Sequence, residues 1–327
     1  MSPAVLDKLF AQSANGAAST PLPPCVTGED HVYLVAGTPF QQYRDFLLKE
    51  APDNDPDRLT KIAEDWRASS LALLQLRLTE ATWADKPEIL PLPVELESLA
   101  HQVRSDPIFH KAFHLPVEIG LVELDRLVVR QELINLAQVE RLKEQLGSAP
   151  SAEQVFRACL PLDHRPIEHG VRAVSSDTYV FTSASNDIRL LESVVLQPEQ
   201  VQGIHTHGTV IGVLGIVVGY GSNYVNAIAA EGRLVLNNGS HRAYALRDLG
   251  ITHAPCVIQK AATRQELKSV AAGGLRKNPD VYLKEPRPPV LKDYFNPRLR
   301  QILRLAPINR QVKVRFKVET YDVYRQK

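Results

Sequence analysis

Chemistry concentrates in one stretch of this chain, RLVLNNGSHRAYALRDLG at residues 233–250. Asn237, Asn238 and Gly239 are residue types that accept a positive φ, so the backbone can turn sharply there and bring its N–H groups close to a ligand. Next come Ser240 with a hydroxyl to donate, His241 with a donating ring nitrogen, and Arg242, whose planar fork matches phosphate oxygens. A helix starting at this point would aim its unpaired N–H groups and positive dipole end at the same spot. An anion is the natural guest and a phosphate the most economical choice. Taken alone, Gly-Ser-His-Arg also fits an ordinary strand-to-helix turn with His241 and Arg242 on a solvated face, so its context must decide. Other strings carry less. His205-Thr206-His207 sets two imidazoles on one face of a strand. Without a third ligand it reads as a surface or hydrogen-bonded pair, and no metal centre is expected. Asp163-His164-Arg165 reads as a loop salt bridge, and Gly219, Gly221 and Ser222 as a strand bend.

The elements that must position this turn can be read from periodicity. Leu234, Val235 and Leu236 predict a strand, residues 237–240 a turn, residues 241–249 a helix closed by Gly250, and residues 255–258 a further strand. Upstream, Val117, Ile119, Val122, Leu124, Leu127 and Val129 form a largely alternating run that predicts another strand. After Arg130 and Gln131, the spacing of Leu136, Val139, Leu142 and Leu146 before Gly147 predicts an amphipathic helix with a glycine stop. Strand then helix, twice, defines an α/β domain over residues 116–260, split by an insertion at about 148–225 whose TYVFTSA, SVVLQ and TVIGVLGIVVGY segments are strand-like.

The flanks differ in character. Residues 1–30, rich in Ala, Ser, Pro and Gly, predict a loosely ordered lead with one short helix at residues 3–12. Residues 31–115 predict a helical N-terminal region, with start signals at Asp55-Pro56 and Asp106-Pro107 and apolar spacing through Leu59, Ile62, Trp66, Leu73 and Leu76. Residues 261–327 predict a basic extension with a helix near residues 264–272. They end in a half-buried strand where Val312, Val314, Phe316 and Val318 alternate with Lys313, Arg315, Lys317 and Glu319.

Two of these blocks resemble a known family. LVLNNGSHRAYALRDLGITHAPCVI is similar to the ParB/sulfiredoxin box, in which a Gly-x-x-Arg turn between strand and helix binds nucleotide phosphates and a Leu-Gly precedes a Pro-led strand. LVELDRLVVRQELINLAQVERLKEQL resembles the opening of the same domain, where a strand leads through a Gln-containing loop to a helix. The resemblance covers about 55 residues in two blocks and implies a mixed-sheet α/β (α+β) fold. It implies a nucleotide such as ATP, ADP or CTP, with phosphates held by Asn238, Gly239, Ser240, His241 and Arg242 and with Arg130 or Gln131 near base or sugar. Glu123 and Glu132 lie where the superfamily's free serine kinases carry a catalytic glutamate, and either would serve as general base or hold Mg²⁺; His241 joins them as a catalytic candidate. The chain also departs from its models. Ser240 stands where sulfiredoxins carry the catalytic cysteine, which argues against sulfinic acid reduction, and neither the Asn-containing motif nor the helix-turn-helix that follows the Arg-rich box of ParB is found after Ile258.

Composition bounds the rest. With 327 residues, 44% apolar, the chain can bury a sizeable core in about two domains. Cys25, Cys159 and Cys256 are too scattered for a disulfide framework, and neither a membrane span nor a secretory leader is expected, so a cytoplasmic location follows by elimination. A net charge of +1 conceals an uneven spread, because residues 260–327 hold seventeen Lys and Arg against six Asp and Glu. That tail would either meet DNA or pack on the acidic body of its own chain or of a partner subunit in an oligomer. The leading expectation is a nucleotide-binding protein, as phosphotransferase or nucleotide hydrolase. The alternatives are a non-enzymatic DNA-associated or regulatory ligand-binding protein and an assembly protein with a vestigial pocket.

Overall fold

A computed structural model describes residues 28–51, 56–164, 167–185, 187–201, 203 and 207–324. Strand β1 (Glu29–Leu34) is followed by helices α1 (Phe40–Glu50) and α2 (Arg58–Thr79), the short β2 (Ile89–Leu90), α3 (Glu97–Ser105) and α4 (Pro107–Ala112). β3 (Val117–Glu123) ends in a 3-10 turn, Leu124–Arg126, and β4 (Leu133–Asn135) runs straight into α5 (Leu136–Leu146), with α6 (Ala152–Cys159) beyond it. Then come β5 (His169–Ser175), β6 (Thr178–Ser183), β7 (Ile188–Leu196), β8 (Val213–Tyr220), β9 (Asn226–Ala230), β10 (Arg233–Asn238), α7 (Ser240–Asp248) and β11 (His253–Lys260). The last elements are α8 (Arg264–Val270), α9 (Gly273–Lys277), α10 (Asp280–Leu283), a 3-10 turn at Leu291–Phe295, β12 (Arg300–Leu305) and β13 (Arg310–Arg315).

This is a mixed α+β protein built on a five-stranded sheet of order β10-β9-β11-β3-β2. β9 runs parallel to β11 and antiparallel to β10, while β3 is antiparallel to both β11 and β2. Burial explains its composition. Ala227, Ile228, Leu236, Cys256, Val257 and Ile258 are all within 1% of full burial, and strands covered on both faces need apolar residues without strict alternation. The main core joins this sheet to α5, α6 and α7 through Val139, Val155, Phe156, Ala243 and Leu246. A second sheet, β12-β1-β4, is covered by α1 and α2 through Tyr43, Leu47 and Ile62. A third, β13-β6-β5, and a two-stranded ribbon, β7-β8, make up the rest.

Local signals place several elements as the sequence predicts. Asn135 caps α5, its side chain accepting from the Gln138 N–H at 3.0 Å, and Gly147 ends that helix with a φ of 76°. Asp106 caps α4 in the same way, accepting from the Ile108 N–H at 2.8 Å, with Pro107 in the first turn. The start signal at Asp55-Pro56 is half outside the described residues, and α2 is preceded by Asp57. The predicted lead and its helix at residues 3–12 lie outside them almost entirely.

Four expectations are corrected. The region expected to be helical from residue 31 opens with β1, whose His31, Val32, Tyr33 and Leu34 are buried between β12 and β4. The alternating run at 117–129 is one strand only as far as Glu123. There the Leu124 N–H bonds to Thr252 O, and the chain crosses to the far edge of the sheet. The insertion is narrower than expected at its start, since α6 packs Val155, Phe156 and Cys159 into the main core. Finally, residues 261–327 are woven into the fold, β12 completing the β1 sheet and β13 pairing with β6. β13 stops at Arg315, leaving Phe316 and Val318 exposed.

Candidate functional site

The turn at the end of β10 depends on a glycine. Gly239 has φ 96° and ψ 23°, and a Cβ there would stand 2.7 Å from Val225 Cγ2 and 3.2 Å from Val225 Cα. Left-handed backbone and close approach therefore both require it. The two asparagines hold the turn together. Asn238 accepts from the Gly239 N–H at 2.8 Å through Oδ1 and donates from Nδ2 to Ser222 O at 2.9 Å, and Asn237 Nδ2 donates to Asn226 Oδ1 at 2.9 Å. No side chain caps α7, so the N–H groups of its first turn stay open to water or a ligand. Ser240 is buried at the start of this helix, and its hydroxyl has no hydrogen-bond partner among the described residues.

Two arginines lie near the turn. A parallel bridge pairs Val128 with Val235, with the Val128 N–H bonding Leu234 O at 2.9 Å and the Leu236 N–H bonding Val128 O at 2.8 Å. That register carries Arg130, two residues on, beside Asn237, where its Nη2 donates to the Asn237 carbonyl at 2.8 Å. Arg130 Nε is buried without any partner. Arg242 Nη1 donates to Asn223 O at 2.6 Å, Ala158 O at 3.2 Å and Cys159 O at 3.3 Å. Neither guanidinium forms an ion pair among the described residues, and burial pushes both below the usual arginine range, although an arginine stays charged in a protein. Arg189, at the root of the ribbon, adds positive potential at Arg130, and Asp187 beside it offsets part of the charge of Arg242. Partly buried guanidinium groups facing carbonyl dipoles, with no carboxylate salt-bridged to either, make a local excess of positive charge that an anion would relieve.

His241 does something other than expected. Its Nε2 accepts a hydrogen bond from the Asn135 backbone N–H at 3.0 Å, so that nitrogen is not a donor to a phosphate and the ring proton sits on Nδ1. Burial, with His31 and Arg242 nearby, lowers its pKa to about 4 and keeps the ring neutral. The imidazole fastens the β4–α5 junction to α7, and an acid–base role through Nε2 is set aside because that lone pair is occupied.

The remaining candidates separate. Glu132 accepts from Gln42 Nε2 at 2.7 Å and from the Tyr33 hydroxyl at 3.3 Å, and burial raises its carboxyl above the usual range. Tyr282 feels the charges of both Glu132 and Arg130. Gln131 turns its side chain onto Leu133 O at 2.7 Å and accepts from the Tyr294 hydroxyl on its own carbonyl, so it braces the loop. Glu123 lies opposite His253 at the end of β3, with β11 and β9 between it and β10, and is not brought to the turn. His164 pairs with Asp106 at 2.6 Å, a partner the local Asp163-His164-Arg165 string did not suggest; Arg165, His205 and Thr206 are outside the described residues. Missed in the sequence were Asn135, Arg189, Asp187 and Tyr282. Of these only Asn135 carried a usable signal, as an asparagine standing before a helix.

Many of the tail cations meet carboxylates of the same chain. Arg287 pairs with Asp293 at 2.6 Å and Glu80 at 3.0 Å, Lys292 also pairs with Glu80 at 3.0 Å, Arg304 with Asp30 at 3.3 Å and Lys260 with Glu118 at 2.7 Å.

Fold and site together define an α+β chain with an electropositive strand-to-helix turn, and among the described residues no helix is long and apolar enough to cross a membrane. No family model, no curated protein and no solved structure matches the chain.

Proposed function

We propose that this chain binds a phosphorylated small molecule, a nucleotide such as ATP, ADP or CTP, at the β10–α7 turn in the manner of the ParB/sulfiredoxin-like superfamily. The observation that carries the reading is the pair of partly buried guanidinium groups, Arg130 and Arg242, near an uncapped helix N-terminus with no carboxylate salt-bridged to either. Helix dipole, open N–H groups and the Ser240 hydroxyl all favour the same negative guest. Phosphoryl transfer or hydrolysis would need a carboxylate near the phosphates, with Mg²⁺ to bridge them, and Glu132 is the candidate left once Glu123 is set aside.

Thermal melts with ATP, ADP, CTP, GTP and inorganic phosphate, each with and without Mg²⁺, test this. A ligand at a hundred times its Kd should stabilise the folded chain by about 2.7 kcal/mol. Arg130→Gln should abolish that shift while leaving the unliganded melt nearly unchanged, because Arg130 makes its hydrogen bonds only to Asn237. Arg242 is a poorer probe, since its loss would also strand three carbonyls. No shift with any nucleotide, or an Arg130→Gln variant that responds like the parent, would mean that the pocket is misplaced.

A further inference from the structure

The sheet β13-β6-β5 leaves an apolar face partly open. Register places Val171, Phe181 and Val312 in one cross-strand row and Ala173, Tyr179 and Val314 in the next row of the same face. The opposite face carries Arg172, Val180 and Lys313, of which only Val180 is buried. The apolar rows are only partly covered: Val171 is 55% exposed and Tyr179 40%, Phe181, Val312 and Val314 are half-buried, and the Phe316 ring stacks beside Tyr179. Next to β13 runs the β7–β8 ribbon, in which no residue beyond Ile188 is buried. Its cross-strand pair Val195 and Leu214 is 68% and 65% exposed, and Leu190 is 55% exposed. Within the ribbon strands only Arg189 and Glu192 are charged.

A two-stranded ribbon is marginal in water by itself, and among the described residues this one has two open edges and a largely apolar surface. The exposed fractions of the large apolar residues on one ribbon face and the outer sheet face amount to on the order of 600 Å², taking roughly 150–200 Å² for each fully exposed residue, which is at the top of the range for the largest patch of an ordinary monomer and approaches the ~800 Å² per partner of a stable interface. The near absence of charge on the ribbon strands argues against nucleic acid as their cover, and the cations of the sheet, Arg172 and Lys313, lie on the face opposite its apolar rows. Ribbon and sheet face each need an apolar cover, and both belong to the same chain, so a two-fold exchange satisfies both with one contact made twice. We propose that the protein is a homodimer in which the β7–β8 ribbon of each copy lies across the β5–β6–β13 face of the other.

Sedimentation velocity on the full chain at micromolar concentration tests this. The wild type should sediment at twice the 36.4 kDa of one chain. Val195→Glu combined with Leu214→Glu, and separately Tyr179→Glu, should each weaken dimerisation at least a hundredfold with unchanged far-UV circular dichroism. Hydrogen exchange on the wild type gives a variant-free readout, in which amides of β5, β7 and β8 should gain protection as concentration rises. A wild type that stays monomeric, variants that remain dimeric, or exchange that ignores concentration would each overturn the proposal. So would a monomer that floats with phosphatidylcholine vesicles, which would assign the surface to lipid.

Discussion

His241 and Arg242 are neighbours on the first turn of α7, and both direct their polar atoms into the protein. For His241 this has a pH signature. Its folded pKa, lowered to about 4, lies below the ordinary value of 6.5, so between those two values the unfolded chain holds a proton that the folded chain does not. Stability from this group is complete above pH 6.5 and is lost as pH falls toward 4, by up to about 3 kcal/mol. Urea unfolding at pH 7.5 and pH 4.5 should show that loss in the wild type, and His241→Gln should show distinctly less of it. A wild type and variant with equal pH slopes would remove His241 from the account. The residue types at the turn were legible in the sequence, but their destinations were not. His241 meets a backbone group 106 positions away, and Arg242 reaches carbonyls 19, 83 and 84 positions away. Nothing local announces such partners, because a backbone N–H or carbonyl has no side chain to mark it.

At the scale of elements, the β10–turn–α7 unit stands on Gly239, and a comparison with Gly250 isolates why. Gly250 also has a positive φ, 83°, but a Cβ there meets nothing within 4 Å. Gly250→Ala should therefore cost only the left-handed backbone, about 1–2 kcal/mol. Gly239→Ala adds the collision with Val225 and should cost about 2–4 kcal/mol, read from denaturant midpoints of the two variants. Equal losses would show that Val225 yields freely. Elements with local punctuation were readable in advance: α5 by its apolar spacing before Gly147, α7 before Gly250, and the strands on either side of it. β1 was not, since a short strand at the end of a Pro- and Ser-rich lead gains its identity only by pairing with β12 and β4. The 3-10 turn at Leu124–Arg126 was hidden for a related reason. Leu124 and Leu127 are both fully buried, so the apolar run continues although the backbone changes partner.

For the molecule as a whole, the basic tail was visible as an excess of charge, while its role as structural cement was not, because Glu80, Asp30 and Glu118 lie far away in sequence. β13 gives that role a direct test. A chain ended after residue 306 keeps β12 but strips β6 of one neighbour, leaving β5 and β6 as a lone hairpin. Hydrogen exchange should then speed up at least tenfold in β5 and β6 while the amides of β3, β9 and β11 stay protected. Protection lost everywhere would show β13 to be part of the central fold. The pairing of Glu29 with Leu305 has a further bearing on how the protein is made. A ribosome that has released β1 must still translate roughly 270 residues before the matching strand exists, which takes about 15–50 s at ordinary elongation rates. Through that interval β1 can pair with β4 but not with β12, so one of its edges stays open and holdase chaperones have a defined segment to guard.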